Sequence, residues 1–419
     1  MSFPTQTGND RTQDPRGPYC FTKPLNVLEF FSGIGLIHEA LKPLGWQVVL
    51  ANDNNAKKAA SYHANFPETP FNNEDVRLLD VSGISPVEVA TASFPCIDLS
   101  QAGGREGING DKSGVVWGFL DRIADLHRLN NAPEFLFLEN VPGLLSLHKG
   151  KSIDLLLQRI AELGYCFDLV QVDASHFLPQ TRNRIFIIAV LGRDRFPRPQ
   201  NIPSTHIRRY KVREVYQRNP HLPWIFFDFP PLPVRSIGLE DIVEPLPPDD
   251  ARWWSETKME YFWHHLEKHH GPKLKTLFHS SERKHLTAVR RLRRRGVREQ
   301  IINLRFDGLA SCLRTPKGGS SAQYIVEIED GTVRVRRILG VETARLQGVC
   351  LPDAAPDFRL VGGETEQMYG FGDAVCVPAV RWVFTHSIET LRDGGSMSSL
   401  CKSYSVPKSL TLDLMLEAA

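Results

Sequence analysis

Between residues 25 and 191, short apolar runs recur at 25–31, 47–52, 89–94, 134–138 and 185–190, each closed by a glycine turn, a proline or an acidic side chain. They are too short for helices and apolar throughout, so they read as strands buried on both faces. Helical stretches separate them, such as 151–161 with its leucine-rich face. Alternating strands and helices predict an α/β fold: a doubly wound, mainly parallel sheet with helices on both faces. From 192 to 312 the pattern breaks into proline-rich turns, Pro230-Pro231-Leu232-Pro233 and Pro245-Leu246-Pro247-Pro248, and a smaller inserted domain is expected there. Residues 313–392 are expected to return to the first domain, with a strand at 323–328 and a closing helix from Pro378 beside the first strand. The polar, aperiodic 1–23 reads as a disordered arm and 393–419 as a tail.

Charge sharpens this division. The whole chain of 419 residues carries only +2, but residues 191–310 hold 23 Lys+Arg against 14 Asp+Glu, together with eight of the 14 histidines. The densest run is Arg290-Arg291-Leu292-Arg293-Arg294-Arg295, a candidate for neutralising phosphates or, alternatively, a solvated helix face. Aromatics from Trp224 to Trp263 are interleaved with it and are expected to pack a small core. The seven cysteines are odd in number, widely separated and without a Cys-x-x-Cys pair, which predicts no zinc site and a reducing, cytoplasmic setting. No apolar stretch approaches the ~20 residues that span a bilayer, so no membrane is expected.

Chemistry gathers at the strand ends. The strand at 89–94 stops at Pro95 and is followed at once by Cys96. A thiol there lies where open α/β sheets bind ligands, although a cysteine alone is as readily a small buried hydrophobe. The first strand runs through Phe31 into Ser32-Gly33-Ile34-Gly35 and a helix, a nucleotide-binding opening in which backbone amides approach a ligand. The second ends at Asp53, about 20 residues after the glycines, placed either to accept ribose hydroxyls or to cap the next helix. The strand at 134–138 delivers Glu139, a candidate general acid. Gln180-Thr181-Arg182-Asn183-Arg184 brings two guanidinium forks to the start of another strand.

In their order, Phe31-Ser32-Gly33-Ile34-Gly35, Pro95-Cys96, Glu139-Asn140-Val141, Gln180-Thr181-Arg182-Asn183-Arg184 and Gln367-Met368-Tyr369-Gly370-Phe371-Gly372-Asp373-Ala374-Val375 resemble the blocks of the DNA (cytosine-5)-methyltransferase family. Arg334-Val335-Arg336-Arg337-Ile338-Leu339, running on to Leu346-Gln347-Gly348, resembles the block before the last, and the likeness covers about residues 25–390. The resemblance implies an S-adenosylmethionine-dependent methyltransferase fold with a target-recognition domain at 192–312. It implies Cys96 as nucleophile, Glu139 as acid, and Arg182 and Arg184 as clamps on the base oxygen, a phosphate or Glu139. S-adenosylmethionine would meet Phe31, Gly33, Gly35, Asp53, Asp75, Val76 and Asp373, and the family usually has asparagine at the last of these. Double-stranded DNA is the implied partner, contacted by Arg291, Arg293, Arg294 and Arg295, with a glycine-rich loop at 100–115 closing over an extruded cytosine. A monomer is implied, acting in a bacterial restriction-modification system beside an endonuclease without a stable complex. A nicotinamide oxidoreductase would share the glycine turn but gives no reason for Cys96, Glu139 and the arginines. An RNA methyltransferase or a non-catalytic DNA-binding protein stays open at this point.

Overall fold

The computed structural model describes residues 25–95, 114–192, 199, 201–278, 283–295, 297–315, 321–352 and 358–392. The first domain is built on β1 (Asn26–Phe30), β2 (Gln47–Asn52), β3 (Phe71–Asn72), β4 (Val89–Ala92), β5 (Phe135–Asn140), β6 (Tyr165–Asp173) and β7 (Asn183–Leu191), in the order β3–β2–β1–β4–β5–β7–β6. Pairs among the first five strands are parallel, and β7 runs antiparallel to both β5 and β6. Every residue of β5 is buried, as a strand covered on both faces must be. Alternate residues go to opposite layers. Phe135 and Phe137 join one apolar cluster with helices α1 (Leu36–Leu41) and α10 (Val377–Phe384), whereas Leu136 and Leu138 join another with α3 (Gly114–Arg128) and α4 (Lys151–Glu162). The doubly wound expectation holds. The strand order reverses at β1, between β2 and β4, and the carboxyl ends of β1, β2, β4 and β5 open on one side at this switch point.

The remaining helices are α2 (Ala56–Asn65), α5 (Tyr210–Arg218), α6 (Glu256–His265), α7 (His270–Leu277), α8 (Gly340–Arg345) and α9 (Glu364–Asp373). A second, four-stranded antiparallel sheet runs β11–β10–β8–β9, from β8 (Lys284–Arg295), β9 (Val297–Arg305), β10 (Gln323–Glu329) and β11 (Thr332–Arg337). Phe262 of α6 and Leu274 of α7 cover one face against Leu286, Ile302 and Val326. The basic run is therefore a strand and not a helix face: Arg291 stands opposite Ile301 in the β8–β9 ladder. The backbone of β8 passes through Arg293, Arg294 and Arg295, whose side chains lie outside the described residues.

Hydrogen bonding crosses both expected domain limits. β10, which follows residue 313, pairs with β8, and β11 pairs with β10. In the other direction, Trp224 bridges Phe167 of β6, and Phe227 donates its amide to Asp168 at 3.0 Å. Arg208 anchors this wrap: buried with Asp168, it binds both carboxylate oxygens at 3.1 and 2.5 Å and the Phe227 carbonyl at 2.7 Å. The aromatics after residue 223 thus divide between the two layers of the large sheet, Trp224 and Phe226 on one and Phe227 on the other, and the small core, which holds Phe262. Residues 1–23 and 393–419 lie outside the described residues. Among the described residues, no helix is long and apolar enough to cross a membrane.

Candidate active site

A cavity of about 320 Å³ opens at the switch point. Its floor is the turn after β1. Phe31 and Gly33 both have positive φ (54° and 59°), which folds the chain back so that Gly33 donates its amide to Asp53 Oδ2 at 2.9 Å. A Cβ on Gly33 would meet no atom within 4 Å, so the turn leaves open space above it. Gly35 has a different task. At φ 91° it starts α1, a Cβ there would lie 2.5 Å from the Phe66 ring, and it does not line the cavity. It permits α1 to pack on α2.

Asp53 also accepts the Asn55 amide at 2.9 Å. The cap of α2 is Asn55, whose side chain accepts from Lys57 and Lys58, so Asp53 is not the helix cap and each of its oxygens keeps a further acceptor position. Asp75 and Val76 line the same cavity. Both Asp75 oxygens are taken by Arg77, at 2.9 and 2.7 Å, and that guanidinium holds the carboxyl below its usual range. Asp373, at the end of α9, accepts from the Thr315 hydroxyl at 2.6 Å and pairs with Lys58 at 3.1 Å.

Across the cavity, sheet register assembles the second half. In the antiparallel β5–β7 ladder Glu139 stands opposite Phe186, so Arg184, two residues from Phe186, is its diagonal neighbour on the same face. Its Nε lies 2.8 Å from Glu139 Oε1. In the parallel β4–β5 ladder Ala92 is paired with Leu138, and the next step puts Ser93 beside Glu139. The Ser93 hydroxyl donates to Oε2 at 2.6 Å. Ser93 thus holds one carboxylate oxygen of this buried group by a hydrogen bond while Arg184 faces the other as an ion-pair partner, and Asn140 donates to the Phe94 carbonyl at 3.1 Å, fixing the β4 exit.

Arg182 is placed differently from the clamp expected of it. Its guanidinium is buried and directed at backbone carbonyls: Leu313 at 3.0 Å, Gly372 at 3.3 Å and, at short range, Ala374. Burial and the neighbouring Arg184 pull it down to about 10. It reaches Cys312 Sγ at 3.5 Å as well. Burial pushes the Cys312 thiol up, but Arg182, Arg184 and Arg314 outweigh that and bring it below its usual value. Arg182 thus staples two distant segments to the start of β7 and itself lines the cavity. Cys96 and the 100–113 part of the glycine-rich loop lie outside the described residues; Ser93, Phe94 and Pro95, which precede Cys96 in the chain, line the cavity. Among the described residues no cluster of His, Cys, Asp and Glu could hold a metal.

Sequence reasoning missed Ser93, Lys58 and Thr315. Ser93 carried a usable signal, since two parallel strands ending three residues before Cys96 and at Glu139 invite that register. The other two carried none, because their partner is more than 50 residues away.

The family model for C-5 cytosine-specific DNA methylases matches residues 25–389. The chain belongs to that family. Among curated proteins it is similar to the Type II methyltransferase M2.BsuMI of Bacillus subtilis (strain 168), 34% identical over 171 residues, which is 41% of this chain and 43% of the relative. It is also similar to the Type II methyltransferase M.MspI of a Moraxella species, 29% identical over 210 residues, 48% of this chain and 49% of the relative. The chain spans about half the length of the curated relatives it matches. Among solved structures, the S. pombe Dnmt2 methyltransferase aligns with TM-score 0.54 at 18% identity, covering 88% of this chain and 99% of the other. The Spodoptera frugiperda DNMT2 mutant aligns with TM-score 0.56 at 16% identity, covering 86% and 99%. These likenesses establish the methyltransferase fold.

Proposed function

We propose that the protein is a sequence-specific DNA cytosine-5 methyltransferase that uses S-adenosylmethionine, and that it is the modification enzyme of a restriction-modification system. The observation that carries this reading is the joint placement of Glu139 and Arg184 with the Gly33–Asp53 turn around one cavity. The residues fit the cofactor. Asp53 has acceptor positions for ribose hydroxyls, Phe31 and Val76 offer apolar surface for an adenine, and the Gly33 turn leaves space for the sugar. When bound, S-adenosylmethionine supplies an electrophilic methyl group.

Carbon 5 of cytosine is a weak nucleophile, and addition of the Cys96 thiolate to carbon 6 makes it electron-rich. Glu139 hydrogen-bonds or protonates ring nitrogen 3 as that bond forms, dispersing the added electron density. Ser93 keeps its carboxyl oriented while Arg184 offers donors to the base oxygen as well as to Glu139. Carbon 5 then takes the methyl group. Loss of the carbon-5 proton to a base restores the double bond and expels the Cys96 thiolate. A cytosine stacked in a duplex hides its ring faces, so it must flip out at a cost of a few kcal/mol. The antiparallel sheet of β8–β11, with Arg291 on its longest hairpin, would read the flanking duplex. Acting as a monomer, without a stable endonuclease complex, is part of the same proposal.

Bisulfite sequencing of a mixed-sequence plasmid after incubation with the protein, with and without S-adenosylmethionine, tests the reading. Cofactor-dependent protection of cytosines within one short motif is the expected result. No protection, in a preparation that binds S-adenosylhomocysteine, would exclude the DNA reaction.

A further inference from the structure

Lys58 has no part in the family resemblance, yet it lines the cavity and pairs with Asp373, the one block residue that departs from the family pattern. The two charges answer each other. An amide at 373 would need no counter-charge, whereas a carboxylate at the rim of a cavity leaves a negative charge that the ammonium of Lys58, 3.1 Å away, balances. The Thr315 hydroxyl orients the other carboxylate oxygen. The pair is half exposed on the Asp373 side and holds little folding energy, since exposed ion pairs contribute at most about 1 kcal/mol. A second ion pair, Lys57 to Glu366 at 2.8 Å, ties the same two helices and does not line the cavity. The tie between α2 and α9 therefore does not require Lys58.

We propose that Lys58 and Asp373 form a subsite for the zwitterionic amino-acid arm of the cofactor, Lys58 taking its α-carboxylate and Asp373 its α-ammonium. This rests on the reading of the cavity as an S-adenosylmethionine site. The chemistry is an exchange of partners: one ammonium–carboxylate contact opens and two form, with no net change of charge. Each new contact is a charge-assisted hydrogen bond, and such bonds are about twice as strong as neutral ones. The exchange selects ligands with both groups of the arm and gives no advantage to an adenosine thioether that lacks it.

The test is calorimetric titration of the full chain with S-adenosylhomocysteine and with 5′-methylthioadenosine, which keeps the adenosine and the thioether but has no amino-acid arm. Lys58→Met is expected to weaken S-adenosylhomocysteine by about tenfold, the loss of one charge-assisted bond, and to leave 5′-methylthioadenosine within about twofold. Lys57→Met is expected to change neither, which controls for the helix tie. Asp373→Asn is expected to keep part of the arm affinity, since an amide oxygen still accepts from the ammonium. Equal weakening of both ligands by Lys58→Met would make the pair a latch between helices and overturn the subsite, as would no weakening of either. If the unsubstituted protein binds neither ligand, the cofactor reading itself fails, and the subsite with it.

Discussion

Two buried glutamates on nearby strands of the same sheet are buried among different partners. Glu29 on β1 stands behind the glycine turn, and Glu139 on β5 lines the cavity. Glu29 receives the Tyr62 hydroxyl at 3.1 Å, which in turn contacts His38 Nδ1 at 2.9 Å, and no cation contributes to its environment. Burial raises it to about 8, so it meets the apolar surroundings by keeping a proton. Glu139 has the Arg184 guanidinium and the Ser93 hydroxyl instead. The first set of contacts ties a helix to the sheet, whereas the second sets a carboxyl group between an arginine and a hydroxyl on the cavity wall. The difference comes from register. β7 runs antiparallel to β5 and so brings an arginine diagonally across from Glu139, while the parallel neighbours of β1 supply no cation there.

Removing the carboxyl group at 139 is the most severe break in this comparison. Glu139→Gln keeps the shape and removes the acid, and kcat is expected to fall by about a hundred- to a thousandfold, the range of one general acid–base group, with binding of S-adenosylhomocysteine unchanged. A loss under tenfold would remove Glu139 from the chemistry. Arg182→Met acts in the same cavity wall and deletes the donor shared by the Leu313, Gly372 and Ala374 carbonyls. Unfolding free energy in urea is expected to drop by roughly 3 kcal/mol, as for breaking a buried charged network. An unchanged midpoint would mean that those carbonyls are satisfied otherwise.

Smaller changes sharpen it. Ser93→Ala releases one oxygen of Glu139, and kcat is expected to fall about tenfold with KM for the cofactor unchanged, while Ser93→Thr restores most of the rate. Equal losses in Ala and Thr variants would point to packing and not to the hydroxyl. On the other side, the pH dependence of stability isolates Glu29. Its folded-state value is raised above the unfolded 4.5, so the folded protein holds the extra proton, and the stabilisation is full below about 4.5 and lost as pH rises through about 8. Glu29→Gln is expected to flatten that decline, gaining roughly 4 kcal/mol over the unsubstituted protein at pH 8.5 relative to pH 5. His38 works with the opposite sign: burial lowers it to about 4, so its contribution is lost as pH falls from 6.5 through 4. A thermal scan in which the Gln variant and the parent run parallel from pH 5 to 8.5 would contradict the protonated state of Glu29.

Much of this was legible in the chain. The parallel strands announce themselves because burial on both faces demands unbroken apolar runs, and the strand ends carry Asp53, Glu139 and Arg184 to one rim as expected. β6 was not legible, since Asp168 interrupts its pattern and is explained only by Arg208, 40 residues away in sequence. Nor was the basic run, where arginines mask the period of two that the β8–β9 ladder makes plain. The role of Arg182 lay further out of reach, because its acceptors come from segments 131 and 190 residues downstream. Side chains that serve the strand bearing them can be read from that strand, but a side chain that staples distant segments cannot.

The account centres on one covalent reaction at the cavity that holds Glu139 and Arg184, with Cys96 as nucleophile. The most direct measurement uses a duplex with 5-fluorocytosine at the position mapped by bisulfite sequencing. Fluorine cannot leave carbon 5 as a cation, so after methyl transfer the thiolate cannot be expelled and the protein stays bonded to DNA. The predicted result is a denaturation-resistant adduct that forms only with S-adenosylmethionine, maps to Cys96 by mass spectrometry and is absent in Cys96→Ser. A protein that methylates the duplex yet forms no adduct, or one whose adduct persists in Cys96→Ser, would contradict it.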